Sequence, residues 1–146
     1  MPSTTGSFSS NETAATPHRE LSILLVEDSL RLRTRLTELL TVPGLMHVAA
    51  TADTESAAAE LVDANNYDAL VVDVELRQGS GISVVRKARS RWAVPPVPLI
   101  IVLTNYSLPT VRERCLLAGA DHFLDKLRQF DQLYPLILGH YNARSV

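Results

Sequence analysis

Short, continuous apolar runs constrain the fold of this chain most strongly. They lie at 21–26, 69–72 and 99–103, and only Ser22 interrupts them. A strand without alternating polar residues has to be covered on both faces, which is typical of a parallel sheet between layers of helices. The run at 69–72 ends on Asp73, and ligands collect at the carboxyl ends of strands in open α/β sheets. Because an Asp here would also suit the cap of a turn, the rest of the chain has to decide its role.

Helix signals separate these runs, and two weaker strands are predicted at 45–50 and 121–124. Capping residues and prolines predict helices that begin near Ser29, Asp53 or Thr54, Ser80, Ser107 or Pro109, and Asp131 or Gln132. Five strands thus alternate with five helices. This alternation implies right-handed crossovers and a parallel sheet with helices on both faces, which is the α/β class.

The length of 146 residues and the hydrophobic content of 46% fit one domain with its own core. Residues 1–19 are rich in Ser and Thr and contain almost no large apolar side chains. Such a segment cannot bury enough surface to offset the entropy of ordering. We therefore expect a disordered N-terminal tail at 1–19 and a folded domain at 20–146.

Charge and cysteine content exclude several classes of function. The formal net charge of −2 argues against direct binding of nucleic acid. Cys115 is the only cysteine, which rules out an internal disulfide and, with four scattered histidines, a zinc site. No stretch reaches the roughly 18 apolar residues of a membrane span, and no secretory signal opens the chain. We therefore expect a cytoplasmic protein without membrane insertion and without an attached output domain.

Polar residues of complementary chemistry follow four of the predicted strands. They are Glu27 and Asp28, then Asp73, then Thr104, then Lys126. Since the carboxyl ends of parallel strands meet at one sheet edge, the three carboxylates are expected to lie close together and to repel each other. A hard dication with oxygen ligands relieves that repulsion, which favours a site for Mg²⁺ or Mn²⁺.

In this order the residues resemble the receiver domain of two-component response regulators, over positions 21 to about 140. Phe123, the stretch Gly-Ala-Asp-His-Phe at 119–123 and the pair Ser80-Gly81 are also similar to receiver sequences. The resemblance implies a flavodoxin-like, doubly wound parallel sheet of five strands in the order 2-1-3-4-5, with five helices.

The resemblance also implies a role for each residue of the site. Asp73 is expected to be the phosphoacceptor, with Thr104 hydrogen-bonded to the phosphoryl group and Lys126 paired with it. The expected metal ligands are Glu27, Asp28, Asp73 and the backbone carbonyl of Glu75. Thr104 and Phe123 are expected to form the conformational switch. Apart from the resemblance, the position of Tyr106 two residues beyond Thr104 predicts that its side chain covers the acyl phosphate.

The implied function is that of a stand-alone response regulator, chemotaxis-regulator-like, which signals through its surface. It would take a phosphoryl group from a sensor histidine kinase or a histidine phosphotransfer protein. It would catalyse its own phosphorylation and dephosphorylation without being a conventional enzyme. The recipient of the signal is an unknown downstream protein or, in a homodimer, a second copy of the chain, bound through the surface at 107–141.

Three positions depart from the usual receiver pattern. Leu127 stands where a proline, often after a cis peptide bond, usually follows the lysine. A non-proline cis bond costs about 3 kcal/mol, so we expect a trans bond or local strain at 126–127. Arg77 replaces another customary proline, and Asn105 is larger than the usual residue after the threonine.

Two other functions share features with this sequence. A receiver-like fold that serves only as a docking module normally lacks one of the reacting groups, and none is missing here. A phosphohydrolase of the haloacid dehalogenase type also uses an Asp at a strand end, and Asp73-Val-Glu75 superficially resembles its signature. That family, however, places its metal-binding acids after the nucleophile. Dinucleotide and nucleoside-triphosphate sites are not indicated, because neither glycine-rich fingerprint occurs.

Overall fold

The computed structural model describes residues 19–105 and 107–144, and within these ranges the strands form a single five-stranded sheet. The strands are β1 Leu21–Val26, β2 Met46–Ala52, β3 Ala69–Val72, β4 Leu99–Thr104 and β5 His122–Asp125. Their order across the sheet is β2-β1-β3-β4-β5, and every neighbouring pair is parallel. The predicted fold class and strand order are thus confirmed.

Among the described residues, five helices longer than one turn cover the sheet: α1 Leu30–Leu39, α2 Glu55–Ala64, α3 Gly81–Arg91, α4 Pro109–Ala118 and α5 Leu133–Arg144. A helical turn, Lys126–Gln129, and a 3-10 turn, Phe130–Gln132, precede α5. The first three helices begin with a side-chain cap from Ser29, Thr54 and Ser80. These caps satisfy backbone N–H groups that have no partner inside the helix, as the sequence predicts.

The two faces of the sheet carry separate apolar cores, because successive strand residues point to opposite sides. On one side, Leu70 and Val72 of β3 belong to a buried cluster with residues of α2, α3 and α4, including Cys115. On the other side, Ala69 and Val71 belong to a cluster with residues of α1 and α5. Each β3 side chain is therefore buried, which explains the uninterrupted apolar run.

Strand β2 extends further than the sequence predicts. We expected it at 45–50, whereas it reaches Ala52, with Leu25 opposite Thr51 and Val26 opposite Ala52. Main-chain pairing with β1 continues through Thr51 although this side chain is exposed. At the edge of a sheet, the apolar pattern therefore ends before the hydrogen-bonded ladder does.

Asp68 organises the opposite, amino-terminal edge of the sheet. Its carboxylate accepts hydrogen bonds from the Ser22 backbone N–H at 2.8 Å and from both terminal nitrogens of Arg19 at 2.7 and 2.9 Å. Burial raises the pKa of Asp68. The hydrogen bonds from Arg19 and Ser22 together lower this pKa by a larger amount, so the net shift is downward. Residues 1–18 of the predicted tail lie outside the described part of the chain, and Arg19 is joined to the domain by this pair.

In the described ranges, no helix is both long enough and apolar enough to cross a membrane.

Replacing Asp68 by Ala should lower the free energy of unfolding by about 2 kcal/mol, because it removes the partner of a backbone N–H group inside the domain. Arg19→Ala should cost less than about 1 kcal/mol, since the Arg19 side chain is 73% exposed. Urea denaturation of both variants at neutral pH measures this difference. Equal losses would show that the ion pair, and not the Ser22 contact, carries the stabilisation.

The same pair predicts a pH dependence. A carboxyl whose pKa is lowered by folding stabilises the protein above its unfolded pKa, near 3.9, and loses that contribution as the pH falls through the lower folded value. The gap between wild type and Asp68→Ala should therefore close in acid, which urea titrations at successive pH values would show.

Candidate functional site

The carboxyl ends of the two central strands bring Glu27 and Asp73 together. Glu27 follows β1 and donates its backbone N–H to Ala52 at 2.9 Å, whereas Asp73 follows β3 and donates to Val26 at 2.9 Å. The hydrogen bonding of the sheet thus extends one residue beyond β1 and β3, and it fixes the backbone positions of Glu27 and Asp73. Glu27 is 1% exposed and Asp73 is 5% exposed, while Asp28 is half-buried.

Lys126 lies between the two buried carboxylates. Its Nζ atom is 2.9 Å from Glu27 Oε1 and 3.0 Å from Asp73 Oδ2, and its side chain is 10% exposed. The lysine comes from the end of β5, two strands away from β3 in the sheet. The long apolar stem allows the ammonium group to reach the centre of the site while the backbone stays at its edge.

The electrostatics of the site follow from burial and from this ion pair. Burial raises the pKa of Glu27 and of Asp73, and the attraction to Lys126 only partly offsets it. Burial alone would lower the pKa of Lys126, but hydrogen bonds and charge attraction from both carboxylates raise it overall. The lysine is therefore protonated at neutral pH, and the carboxylates around it are destabilised in their charged form.

The three acids have the chemistry and spacing of a divalent-metal site. Glu27, Asp28 and Asp73 each offer a carboxylate oxygen, and these oxygens lie within 4.8 Å of one another. Oxygen ligands around one octahedral Mg²⁺, at about 2.1 Å from the ion, are about 3 to 4 Å apart. The donors therefore fit a hard dication, and they are the carboxylates that the sequence predicts for it.

The other predicted residues that the structure describes lie on β4, on β5 and in the loop after Asp73. Thr104 is the last residue of β4 and is fully buried, and Phe123 of β5 pairs with Val102 and packs partly buried against the core of α2, α3 and α4. The Glu75 backbone N–H donates a long, 3.4 Å hydrogen bond to Asp73 Oδ1. Tyr106 lies outside the described residues, so its predicted role stays a prediction.

The loop after Asp73 is held by contacts that the sequence analysis missed. Glu55 accepts a hydrogen bond from the Ser80 backbone at 2.9 Å and donates its own backbone N–H to Gln78 at 2.9 Å. Gly81 leaves no room for a side chain, because a Cβ atom there would lie 1.9 Å from the Asp73 carbonyl oxygen. The glycine thus lets α3 begin directly against the backbone of Asp73.

The peptide bond between Lys126 and Leu127 is trans. Among the described residues, Pro95–Pro96 is the only cis peptide bond. This confirms the conformation expected from the absence of proline at position 127.

Comparison with known proteins agrees with this geometry. The family model of the response regulator receiver domain matches residues 23–137. The chain belongs to this family. A gliding motility regulatory protein of Myxococcus xanthus is 35% identical over 114 residues, which are 78% of this chain and 14% of that protein. The chain therefore spans only a small part of this relative.

Solved structures support the same fold. The CheX-CheY-BeF3-Mg²⁺ complex of Borrelia burgdorferi contains a similar chain, with a TM-score of 0.73, 19% identity, and coverage of 83% of this chain and 89% of that one. A response regulator of Burkholderia pseudomallei with a phosphorylated aspartic acid, a calcium ion and citrate has a TM-score of 0.69 and 22% identity. That match covers 87% of this receiver and 74% of the Burkholderia chain.

Replacing Lys126 by Met should lower the free energy of unfolding by about 3 kcal/mol, because Glu27 and Asp73 would then be buried without their cation. Lys87→Met is the matched control, since Lys87 pairs with Asp63 on the surface, and it should change stability by less than about 0.5 kcal/mol. Urea denaturation without divalent metal measures both. Similar losses in the two variants would contradict a stabilising role of the buried ion pair.

Proposed function

We propose that this receiver accepts a phosphoryl group on Asp73 in a reaction that depends on Mg²⁺ or Mn²⁺. The observation that carries the proposal is the position of the buried Asp73 carboxylate, 3.0 Å from Lys126 and within 4.8 Å of the Glu27 and Asp28 oxygens. The Lys126 ammonium group and two candidate metal ligands, Glu27 and Asp28, thus lie next to a single candidate nucleophile, Asp73. Phosphoryl transfer requires this arrangement, because the protein mainly has to position the reactants and neutralise charge.

In the proposed reaction, an oxygen of Asp73 attacks phosphorus, and the bond between phosphorus and the donor breaks. The donor atom is a histidine nitrogen in a kinase or phosphotransfer protein, and a carboxylate oxygen in acetyl phosphate. Lys126 exchanges its ion pair with Asp73 for one with the phosphoryl oxygens, and Thr104 donates its hydroxyl to them. The ion would be held by Glu27, Asp28, Asp73 and the backbone carbonyl of Glu75. Bound Mg²⁺ would supply positive charge and hold the phosphoryl oxygens in place.

Attack of water on phosphorus would break the bond to Asp73 and release inorganic phosphate, so the receiver would catalyse both steps of its own cycle, phosphorylation and dephosphorylation. The proposed partners are a sensor histidine kinase or histidine phosphotransfer protein upstream, and a separate protein or a second copy downstream. The Borrelia structure, in which CheY is in a complex with CheX, BeF3 and Mg²⁺, supports a separate protein partner and a Mg²⁺ ligand by similarity of fold.

Incubation with acetyl phosphate and Mg²⁺ should add one phosphoryl group to the wild-type chain and none to Asp73→Asn, because the amide is not a competent nucleophile. Intact-mass spectrometry measures the addition. Asp63→Asn is the control, since Asp63 is exposed and lies on α2, and it should behave like wild type. Asp28→Asn should require more Mg²⁺ for the same rate, because it removes one ligand.

Stoichiometric uptake by Asp73→Asn would contradict the assignment of the phosphoacceptor. Absence of uptake by the wild-type chain with acetyl phosphate and with a kinase would favour the docking-only alternative.

We further propose that Thr104 and Phe123 carry the signal away from Asp73. Movement of the Thr104 hydroxyl toward a phosphoryl oxygen would open space beside the β4–α4 loop, and the half-buried Phe123 ring would turn inward to fill it. Because Phe lacks the hydroxyl of Tyr, packing alone distinguishes its two positions. The free-energy gap between them should therefore be small, and the unphosphorylated protein should already populate both.

Beryllofluoride, which mimics the phosphoryl group, should change amide exchange in the wild-type receiver from position 105 to 125 as well as next to Asp73. Asp73→Asn provides the control, because it should show neither change. Protection that changes only around Asp73, with α4 and β5 unaffected, would mean that the proposed switch does not operate.

A further inference from the structure

Asp125 occupies a position between the two loops that flank the Asp73 site. It is the last residue of β5, it lies opposite Thr104 in the register of the sheet, and it immediately precedes Lys126. Each of its two carboxylate oxygens accepts hydrogen bonds from a different segment of the chain. No pattern in the sequence assigns a role to Asp125.

One carboxylate oxygen caps the turn that carries the lysine. Asp125 Oδ1 accepts hydrogen bonds from the backbone N–H groups of Leu127 at 2.8 Å and Arg128 at 3.2 Å. The Gln129 side chain reaches back and accepts the Asp125 backbone N–H at 2.8 Å. This reciprocal pattern is that of a capping box, shifted by one residue, and it fixes the backbone from which Lys126 extends.

The other oxygen is bound to the β4–α4 loop. The Ser107 hydroxyl donates a 2.8 Å hydrogen bond to Asp125 Oδ2. Ser107 precedes Leu108, which is the N-cap residue of α4. The Leu108 side chain makes no capping hydrogen bond. The serine that the sequence offers as a helix cap is thus bound to Asp125 instead.

We propose that Asp125 is a positioning residue, which holds Lys126 in its place beside Asp73 and couples it to the β4–α4 loop through Ser107. The inference rests on the proposed phosphorylation of Asp73. Under this arrangement the lysine and the loop that follows Thr104 cannot move independently. A displacement of Lys126 toward a phosphoryl group would be transmitted to the start of α4, and a partner bound at α4 would in turn affect the lysine.

Phosphoryl transfer from acetyl phosphate, with release of acetate, provides the first test. Asp125→Ala should slow the reaction about fivefold, the factor that corresponds to loss of one N-cap. Asp125→Asn should restore the rate to within about twofold of wild type, because Asn caps a helical turn as well as Asp does. Asp131→Ala removes an exposed carboxylate from the adjacent 3-10 turn and serves as the control, with no change expected.

A double-mutant cycle separates positioning from a general structural effect. In a Lys126→Ala background, Asp125→Ala should cause no further loss of rate, because the residue through which Asp125 acts is already gone. An equal slowing by Asp125→Ala with and without Lys126 would overturn the proposal, and so would an unchanged rate in the single variant.

The coupling to Ser107 is tested on the unphosphorylated protein, without any phosphodonor. Ser107→Ala should increase amide exchange at Leu127 and Arg128, and Ser107→Ala added to Asp125→Ala should give no further increase. Thr110→Ala, in the first turn of α4, is the control. No change at these amides in Ser107→Ala would overturn the coupling. A wild-type chain that takes up no phosphoryl group would instead overturn the proposed function, and the exchange result would still decide the coupling.

Discussion

The ion pair of Lys126 with Glu27 and Asp73 is the interaction on which the arrangement of the site depends. Two carboxylates held at the ends of adjacent central strands repel each other, and burial makes their charges costly. A single protonated lysine relieves both effects, and it comes from the outermost strand of the same sheet. The register of β5 against β4 therefore affects the electrostatics of the site, because it places the Lys126 backbone where the ammonium group reaches both acids.

Close packing of backbone against backbone sets the rest of the geometry. Gly81 brings the start of α3 to the Asp73 carbonyl, at a distance that no other residue permits. Glu55 fixes the intervening loop to the start of α2 through Ser80 and Gln78. Because these contacts restrain the loop from both sides, the backbone near Glu75 is held in place without the proline that receivers usually have nearby.

Most of the fold could be predicted because its signals are local. A buried parallel strand shows as an apolar run, and a helix start shows as a capping Ser or Thr, so β3, α1 and α2 were located within a few residues. The candidate site residues could be named from the sequence because they follow the strands. Hydrogen bonds between polar residues far apart in the sequence leave no such pattern. The contacts of Asp68 with Ser22 and of Asp125 with Ser107 are therefore visible only in the three-dimensional structure.

After Lys126, a side-chain cap restrains the turn in place of the proline that receivers usually have there. Proline restricts the backbone through its ring, whereas Leu127 leaves it free, and a cis bond at this position would cost about 3 kcal/mol. The chain adopts the trans bond and restrains the turn with the Asp125 cap, a type of contact that contributes about 1 kcal/mol. A ring acts on one turn alone, but a carboxylate has a second oxygen, and here that oxygen binds the loop before α4. At this position, a ring that restricts one turn is thus replaced by a side chain that caps the turn and also contacts a neighbouring loop.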